Sequence, residues 1–451
     1  MNANPYSLPA IGRRAFLACA ATSGAALANR AVAAAGPLTT ALGPILGHIE
    51  PTRATVWFRP LAAGEYRLEV TPANGGSPRT LPRQAEEKDD LCIHWLVDGL
   101  MPATTYRYRI GAGDRWLAAD SGQTFTTPPS PETPTRVRFA ISSCAKEDAG
   151  SRAVWQRIAA ENVDAVVLIG DTPYIDSTEL EVQTRRHRQF ASVTEYQKLL
   201  MSRPCWWTWD DHDFGGDNSS GLLPGKENSR LAFTRYRPQI NYGDGQDGIY
   251  TSFRYGPVEM FILDTRWFAM TASSFARPAF PTLLGEKQWT WLKQGLRAST
   301  APFKLLASGM IWDDKETKGT SNDSWGGTYM HERRAVEKFI QTERIPGVVL
   351  VGGDIHASRV LRYKSVDTVG YNLVQFIASP IHGSVLAARN VYNPDLVRSA
   401  LEPHVFLLLE ADSTVAPARL RGALINARGE RVFTYELNLA ELTPAPPSKK
   451  G

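Results

Sequence analysis

The stretch Val163-Asp-Ala-Val-Val-Leu-Ile-Gly-Asp-Thr-Pro-Tyr174 decides the fold. Its run of Val, Leu and Ile between Asn162 and Gly170 reads as a parallel strand buried on both faces. A strand with one wet face would instead show a polar residue at every second position. Gly170 and Pro173 mark a turn that delivers Asp171 and Tyr174 at the strand's carboxyl end. In open α/β sheets that is the edge where ligands bind. Three further segments share the design. Arg136-Val-Arg-Phe-Ala-Ile-Ser-Ser-Cys144 ends in a thiol, and Pro204-Cys-Trp-Trp-Thr-Trp-Asp-Asp-His-Asp213 ends in acids and an imidazole. Pro346-Gly-Val-Val-Leu-Val-Gly-Gly-Asp-Ile-His356 ends in Asp354 and His356. Core packing explains four apolar runs, but not why each stops at a metal-ligand residue type. We read the four ends as one metal site.

Around these strands the chain divides. At 451 residues it is too long for one ordinary core, and its 43% hydrophobic and 21% charged residues are those of a globular protein. Alternation over Arg53–Arg59 and Tyr66–Val70 predicts strands. After a corner at Leu100, a further strand carries Tyr106, Tyr108 and Ile110 on one face. Together these predict an all-β sandwich over 37–128, of fibronectin type III or immunoglobulin-like form, with a Tyr closing one loop. The Pro-rich run Thr126–Thr135 marks the boundary, with a linker at 129–135. Over 136–451 strands alternate with helical spacing at 151–160, 195–201, 286–298 and 333–341, which predicts an α/β catalytic domain with antiparallel additions. Arg431–Leu437 is expected to pair with a neighbouring strand.

The formal charge of +4 includes Arg13, Arg14 and Arg30. Without the first 36 residues, 47 basic face 46 acidic residues, a balance that offers no nucleic-acid-binding patch. Arg13-Arg14 before Phe16-Leu17, an Ala-rich run and small residues at 31–35 have the form of a twin-arginine signal over 1–36. The expectation is a periplasmic or secreted bacterial protein, handed to the twin-arginine export machinery and left without a transmembrane anchor. Cys19 would leave with that signal, so Cys92 and Cys205 either pair or stay as buried free thiols.

Within the site, Asp171 is the best single candidate, because a carboxylate at a strand end can bridge two cations. Tyr174 adds a phenol that a strongly acidic cation can ionise. Cys144 is a candidate thiolate ligand. In Asp210-Asp-His-Asp213, three acids beside one His would repel without a cation. Asp211 is the ligand there, and His212 the proton donor or phosphate partner. Asp217 or Asn218 offers a further oxygen of the kind calcium takes. Asp354 and His356, two apart, point the same way from an extended strand.

Ser143-Cys144, Gly170-Asp171-x-x-Tyr174, Trp209-Asp-Asp-His-Asp213 and Gly353-Asp354-x-His356, with Leu263-Asp-Thr-Arg266, resemble the alkaline phosphatase D (PhoD-like) family of metallophosphatases. The resemblance spans essentially the whole mature chain. It implies a four-layer αββα sandwich after the N-terminal all-β domain, with Fe3+ and Ca2+ as cofactors and Zn2+ or Mn2+ as the other candidates. On its pattern Cys144, Asp171, Tyr174 and His356 belong to iron, while Asp171, Asp211, Asp354 and an amide such as Asn218 belong to calcium. His212 faces the phosphate. The expected activity is that of an alkaline phosphatase, acting on phosphomonoesters and phosphodiesters by attack of a metal-bound hydroxide. A diesterase of phospholipid or teichoic-acid-like polymers, and a phosphopolymer-binding protein without catalysis, are the alternatives. Family members commonly carry Asn-Asp where this chain has Gly216-Asp-Asn218, which leaves Asp217 and Asn218 both open as the oxygen ligand.

Overall fold

Alternation along the N-terminal third builds two sheets. In this computed structural model, residues 41–117, 123–312 and 323–445 are described; the expected signal at 1–36 lies outside them. The described residues group as one compact unit. Strands β1 (Leu42–Glu50) and β2 (Arg53–Arg59) form an antiparallel pair. Next come β3 (Gly64–Pro72) and β4 (Arg79–Ala85), and then β5 (Ile93–Asp98), which returns to β2. The last strands here, β6 (Thr105–Ala112), β7 (Arg115–Trp116) and β8 (Thr124–Thr126), complete a sheet around β3. Tyr106, Tyr108 and Ile110 share the inner face as expected. The backbone N–H of Met101 donates to the Tyr106 hydroxyl at 2.8 Å, so a Tyr does close that corner.

The clean alternation expected at Arg53–Arg59 is not what forms: every residue from Ala54 to Arg59 is buried. Both faces of β2 are covered because a second part of the chain lies on it. The Trp57 indole donates to Arg235 O at 2.8 Å, and Thr55 Oγ1 to Pro238 O at 2.7 Å. The His94 ring meets Arg235 O at 2.8 Å, and the Trp206 indole donates to His48 Nδ1 at 3.1 Å.

From Arg136 onward the chain is α/β. It runs through β9 (Arg136–Ser142), helix α1 (Ala149–Ala160), β10 (Ala165–Ile169), α2 (Leu180–Ala191), α3 (Thr194–Leu200) and β11 (Cys205–Thr208). The short α4 (Asp211–Phe214) and then α5 (Lys226–Tyr236) lead to β12 (Thr251–Tyr255) and β13 (Val258–Ile262). Next come α6 (Gly285–Ala298), β14 (Phe303–Ala307), α7 (Met330–Thr342) and β15 (Val348–Gly352). The remaining strands are β16 (Ser358–Arg362), β17 (Val374–Ile377), β18 (Leu396–Ala400), β19 (Val405–Asp412), β20 (Arg419–Asn426) and β21 (Arg431–Asn438).

These strands make a six-stranded sheet, ordered β11-β10-β9-β19-β20-β21, and a seven-stranded sheet, ordered β12-β13-β14-β15-β17-β16-β18. Strands β9, β10 and β11 pair in parallel, with β10 between the other two, as its unbroken apolar run requires. The two sheets pack face to face. Trp206 of β11 stacks on Phe253 of β12 with ring centroids 3.7 Å apart, and Phe376 of β17 meets Tyr435 of β21. Trp289, Leu292 and Leu296 form the buried stripe of α6, as their spacing predicts. The Trp206-Trp207-Trp209 cluster is core, with each residue at most 1% exposed. Cys92, Cys144 and Cys205 are buried free thiols, so no Cys92–Cys205 bridge forms.

One buried cation stands apart. Lys304 on β14 is 3% exposed and donates to Ala301 O at 2.6 Å. Burial pulls its pKa from the ordinary 10.5 down to about 8. Between those two values the unfolded chain binds the extra proton, so stability rises with pH across that window, and the cost is fully present below it. Lys304→Met is therefore expected to stabilise the fold at pH 7 by about 2–3 kcal/mol and to flatten the rise, as read by denaturant midpoints from pH 7 to 10.5. An unchanged pH dependence in the variant would show that Lys304 is not the titrating group.

Candidate metal centre

The ligand-bearing residues stand at the carboxyl ends of β9, β10, β11 and β15, so the site draws on both sheets. The chain turns sharply at these ends. Cys144 (φ +59°), Asp171 (+53°), Asp354 (+66°) and His356 (+51°) all take the left-handed conformation that non-glycine residues avoid. Such residues concentrate where function rather than packing sets the backbone. Glycines let the ends close in. A Cβ on Gly170 would lie 2.5 Å from Asp210 Cβ, and one on Gly353 would lie 2.5 Å from Ser143 Oγ, on the opposite sheet.

Three groups of side chains converge there. One ligand atom from each of Cys144, Asp171 and His356 falls within 4.8 Å of the others; the same holds for Asp171, Asp211 and His212, and for Asp210, Asp211 and Asp354. Asp171 and Asp211 join the groups into one centre. The Cys144 sulfur lies 3.5 Å from Asp171 Oδ2 and 3.7 Å from the Asp354 carbonyl. Tyr174 Oη reaches the same place, 2.8 Å from His356 Nε2. Asp211 Oδ2 accepts from the backbone N–H of Asn218 at 2.7 Å, and the Asn218 amide donates to Asp217 Oδ2 at 2.7 Å, so both oxygen-donor candidates sit on the rim beside Asp211.

The acidic run Asp210–Asp213 is divided more finely than its sequence suggests. Asp213 accepts from the backbone N–H of Asp210 at 2.5 Å and of Thr172 at 3.3 Å, which makes it a cap for the turn. Asp210 accepts from Arg266 Nε at 2.6 Å, and the same guanidinium bonds Asp323 Oδ1 at 2.5 Å and Oδ2 at 3.1 Å. Two of the three acids therefore have protein partners, although Asp210 Oδ2 stays buried without a hydrogen bond. Asp211 faces the centre, 4.0 Å from Arg266.

His212 carries a partner that sequence reading missed: its Nδ1 lies 2.5 Å from Asp176 Oδ1. Burial depresses the imidazole pKa, but the Asp176 hydrogen bond and the charges of Asp211, Asp176 and Asp217 outweigh it and raise the value overall. A second missed residue is His382, whose Nε2 lies 3.0 Å from Tyr174 Oη. Burial, and then His356, Lys146 and His404, pull its pKa down to about 3. Neither carries a sequence signal. Asp176 is one acid among many, and His382 follows Ser379-Pro380-Ile381 with no motif around it.

The donor set fits cations. Burial, followed by the charges of Asp211, Asp210, Asp213 and Asp354, raises the Asp171 pKa well above the carboxylate range. Burial, followed by the Asp171 charge, holds the Cys144 thiol up as well. A carboxyl, a thiol and a phenol whose ionisation burial and neighbouring negative charge oppose, set side by side, are the arrangement a multivalent ion relieves.

Two facing sheets with a ligand-bearing centre at their strand ends define a metallophosphatase-type α/β fold. A solved structure of PhoD matches this chain with a TM-score of 0.71 at 21% identity, over 90% of each chain. Purple acid phosphatase PPD1 from yellow lupin (Lupinus luteus) seeds matches with a TM-score of 0.69 at 15% identity, over 91% of this chain and 78% of that one. The family model for PhoD-like phosphatases matches residues 139–407, and the chain belongs to that family. Alkaline phosphatase D of Bacillus subtilis (strain 168) is 30% identical over 315 residues, 59% of this chain and 53% of that protein. The chain thus spans about half the length of that relative.

Proposed function

We propose that the protein is an exported, metal-dependent phosphoric ester hydrolase of the alkaline phosphatase type, acting on phosphomonoesters and on phosphodiesters. The observation that carries this reading is the convergence of Cys144, Asp171, Asp211, His212, Asp354 and His356 into linked groups whose ligand atoms lie within 4.8 Å. The reading assigns ferric iron to Cys144, Asp171, Tyr174 and His356, since phenolate and carboxylate suit a hard trivalent ion and thiolate lowers its charge. Calcium goes to Asp171, Asp211, Asp354 and Asn218, an all-oxygen set. Bound there, such cations supply Lewis acidity, acidifying water and drawing charge from the phosphoryl oxygens.

The chain's own residues do the rest. Asp171, shared by two of the ligand groups, would help hold both cations. His212, with Nδ1 engaged by Asp176, presents Nε2 toward the substrate and holds a proton for the leaving oxygen. The N-terminal strands act as a supporting domain, with 136–451 as the catalytic part. Residues 1–36 serve as the twin-arginine signal and lead to the periplasm or beyond.

One experiment tests the whole reading: elemental analysis of the purified protein alongside turnover of p-nitrophenyl phosphate and its bis ester. Iron and calcium are expected in the protein, with hydrolysis of both esters, loss of activity on calcium chelation and recovery on calcium addition. An active protein free of both metals would defeat the assignment. Tight binding of the esters without turnover would make the chain a phosphoester holder rather than an enzyme.

A further inference from the structure

The segment Ser379–Ser384 is built against the centre without contributing to its ligand groups. The backbone N–H of Ile381 donates to Ser143 O at 3.1 Å and that of His382 to Cys144 O at 3.0 Å, which fixes the segment to the end of β9. From there it offers two side-chain contacts to candidate ligands. Ser379 Oγ donates to the Cys144 sulfur at 3.2 Å, and His382 Nε2 lies 3.0 Å from Tyr174 Oη.

The direction of the second contact follows from the far side of the ring. The backbone N–H of Ser384 points at His382 Nδ1 from 3.0 Å. An amide nitrogen can only donate, so Nδ1 keeps its lone pair and the ring hydrogen sits on Nε2. That hydrogen faces Tyr174 Oη, which must accept it. His356 meets the same oxygen at 2.8 Å, and its ring stands edge-on to that of His382 with centroids 4.5 Å apart. His382 is 1% exposed, yet it belongs to none of the groups whose ligand atoms converge. It touches a ligand rather than acting as one.

We propose that His382 is a positioning residue: through Nε2–H it fixes the Tyr174 oxygen with its remaining lone pairs aimed into the centre, while Ser379 does the same for the Cys144 sulfur. The inference rests on the metal-centre reading. An outer hydrogen bond of this kind orients a ligand before the ion arrives, and its loss costs about 10- to 100-fold in metal affinity. The assignment explains why an imidazole is buried at a position where Phe would fill similar space.

The test is a chelator challenge of the purified, metal-loaded protein, in which retained metal is measured by elemental analysis against rising EDTA. His382→Phe is expected to release half its metal at about 10- to 100-fold less chelator than the natural protein. His382→Gln keeps an N–H donor at similar reach and is expected to stay within about threefold. Ser379→Ala should shift the curve in the same direction as His382→Phe, and it carries the test if the Phe variant does not fold. Equal retention by His382→Phe and the natural protein overturns the proposal. So does His382→Gln releasing metal as readily as His382→Phe, since packing alone would then explain the site. A natural protein that holds no metal at all would overturn the metal-centre reading itself, an outcome distinct from either of these.

Discussion

Asp171→Asn is expected to cut hydrolysis by about 10³-fold or more while raising the stability of the metal-free protein. The two effects have one cause. Asp171 is 1% exposed and has Asp211, Asp210, Asp213 and Asp354 around it, so its charge is held against both burial and repulsion. Its folded pKa lies above the unfolded value, so the folded state gains from the proton at low pH and loses that gain as pH rises through the folded value. The amide removes the charge, keeps the shape and leaves His212 N and the Cys144 sulfur with a neighbour of the same size. It also removes the anion shared between two of the ligand groups. Steady-state rates and thermal unfolding of the chelated protein check both halves. Full activity in the variant would take Asp171 out of the chemistry. A fall in apo stability would mean that Asp171 is held for structure.

Arg266→Ala should destabilise the fold by about 3–5 kcal/mol, the scale for leaving buried charges without their partner. Arg266 is 1% exposed and lies between Asp210 and Asp323, both of them buried. The combined variant Arg266→Ala, Asp210→Asn, Asp323→Asn is expected to recover most of the loss, because the cost comes from uncompensated carboxylates rather than from missing contacts. Denaturant midpoints decide the matter. If the combined variant is no better than Arg266→Ala, lost packing is the cause. The network also keeps Asp210 occupied, which leaves Asp211 to face the centre, 4.0 Å from the same guanidinium.

Much of the α/β architecture was legible because buried parallel strands write themselves as apolar runs, unbroken in β10 and β15 and mostly apolar in β9 and β11. The amphipathic stripe of α6 and the Tyr106 corner were legible for the same reason: a local period or turn encodes them. The assignment of strands to two facing sheets was not written locally. It depends on pairings such as β9 with β19, whose residues are hundreds of positions apart. The site shows the same split. Cys144, Asp171 and His356 could be picked out because each ends a strand. Arg266 stood out in Leu263-Asp-Thr-Arg266, but its pairing with Asp210 was not written there, and His382 comes from a loop where any polar residue would look at home. The covering of β2 was hidden likewise, because its outer face is buried by Arg235 and Pro238 rather than by anything nearby in sequence.

Those last contacts constrain how the protein is made. Trp57 and Thr55 find their acceptors 178 and 183 residues downstream, and His94 finds its own 141 residues on. On the ribosome the amino-terminal strands therefore stay unsealed until Arg235 and Pro238 have emerged, with one face of β2 wet in the meantime. A chain released before Pro238 would lack the acceptor of Thr55 and offer chaperones and proteases an open face of β2.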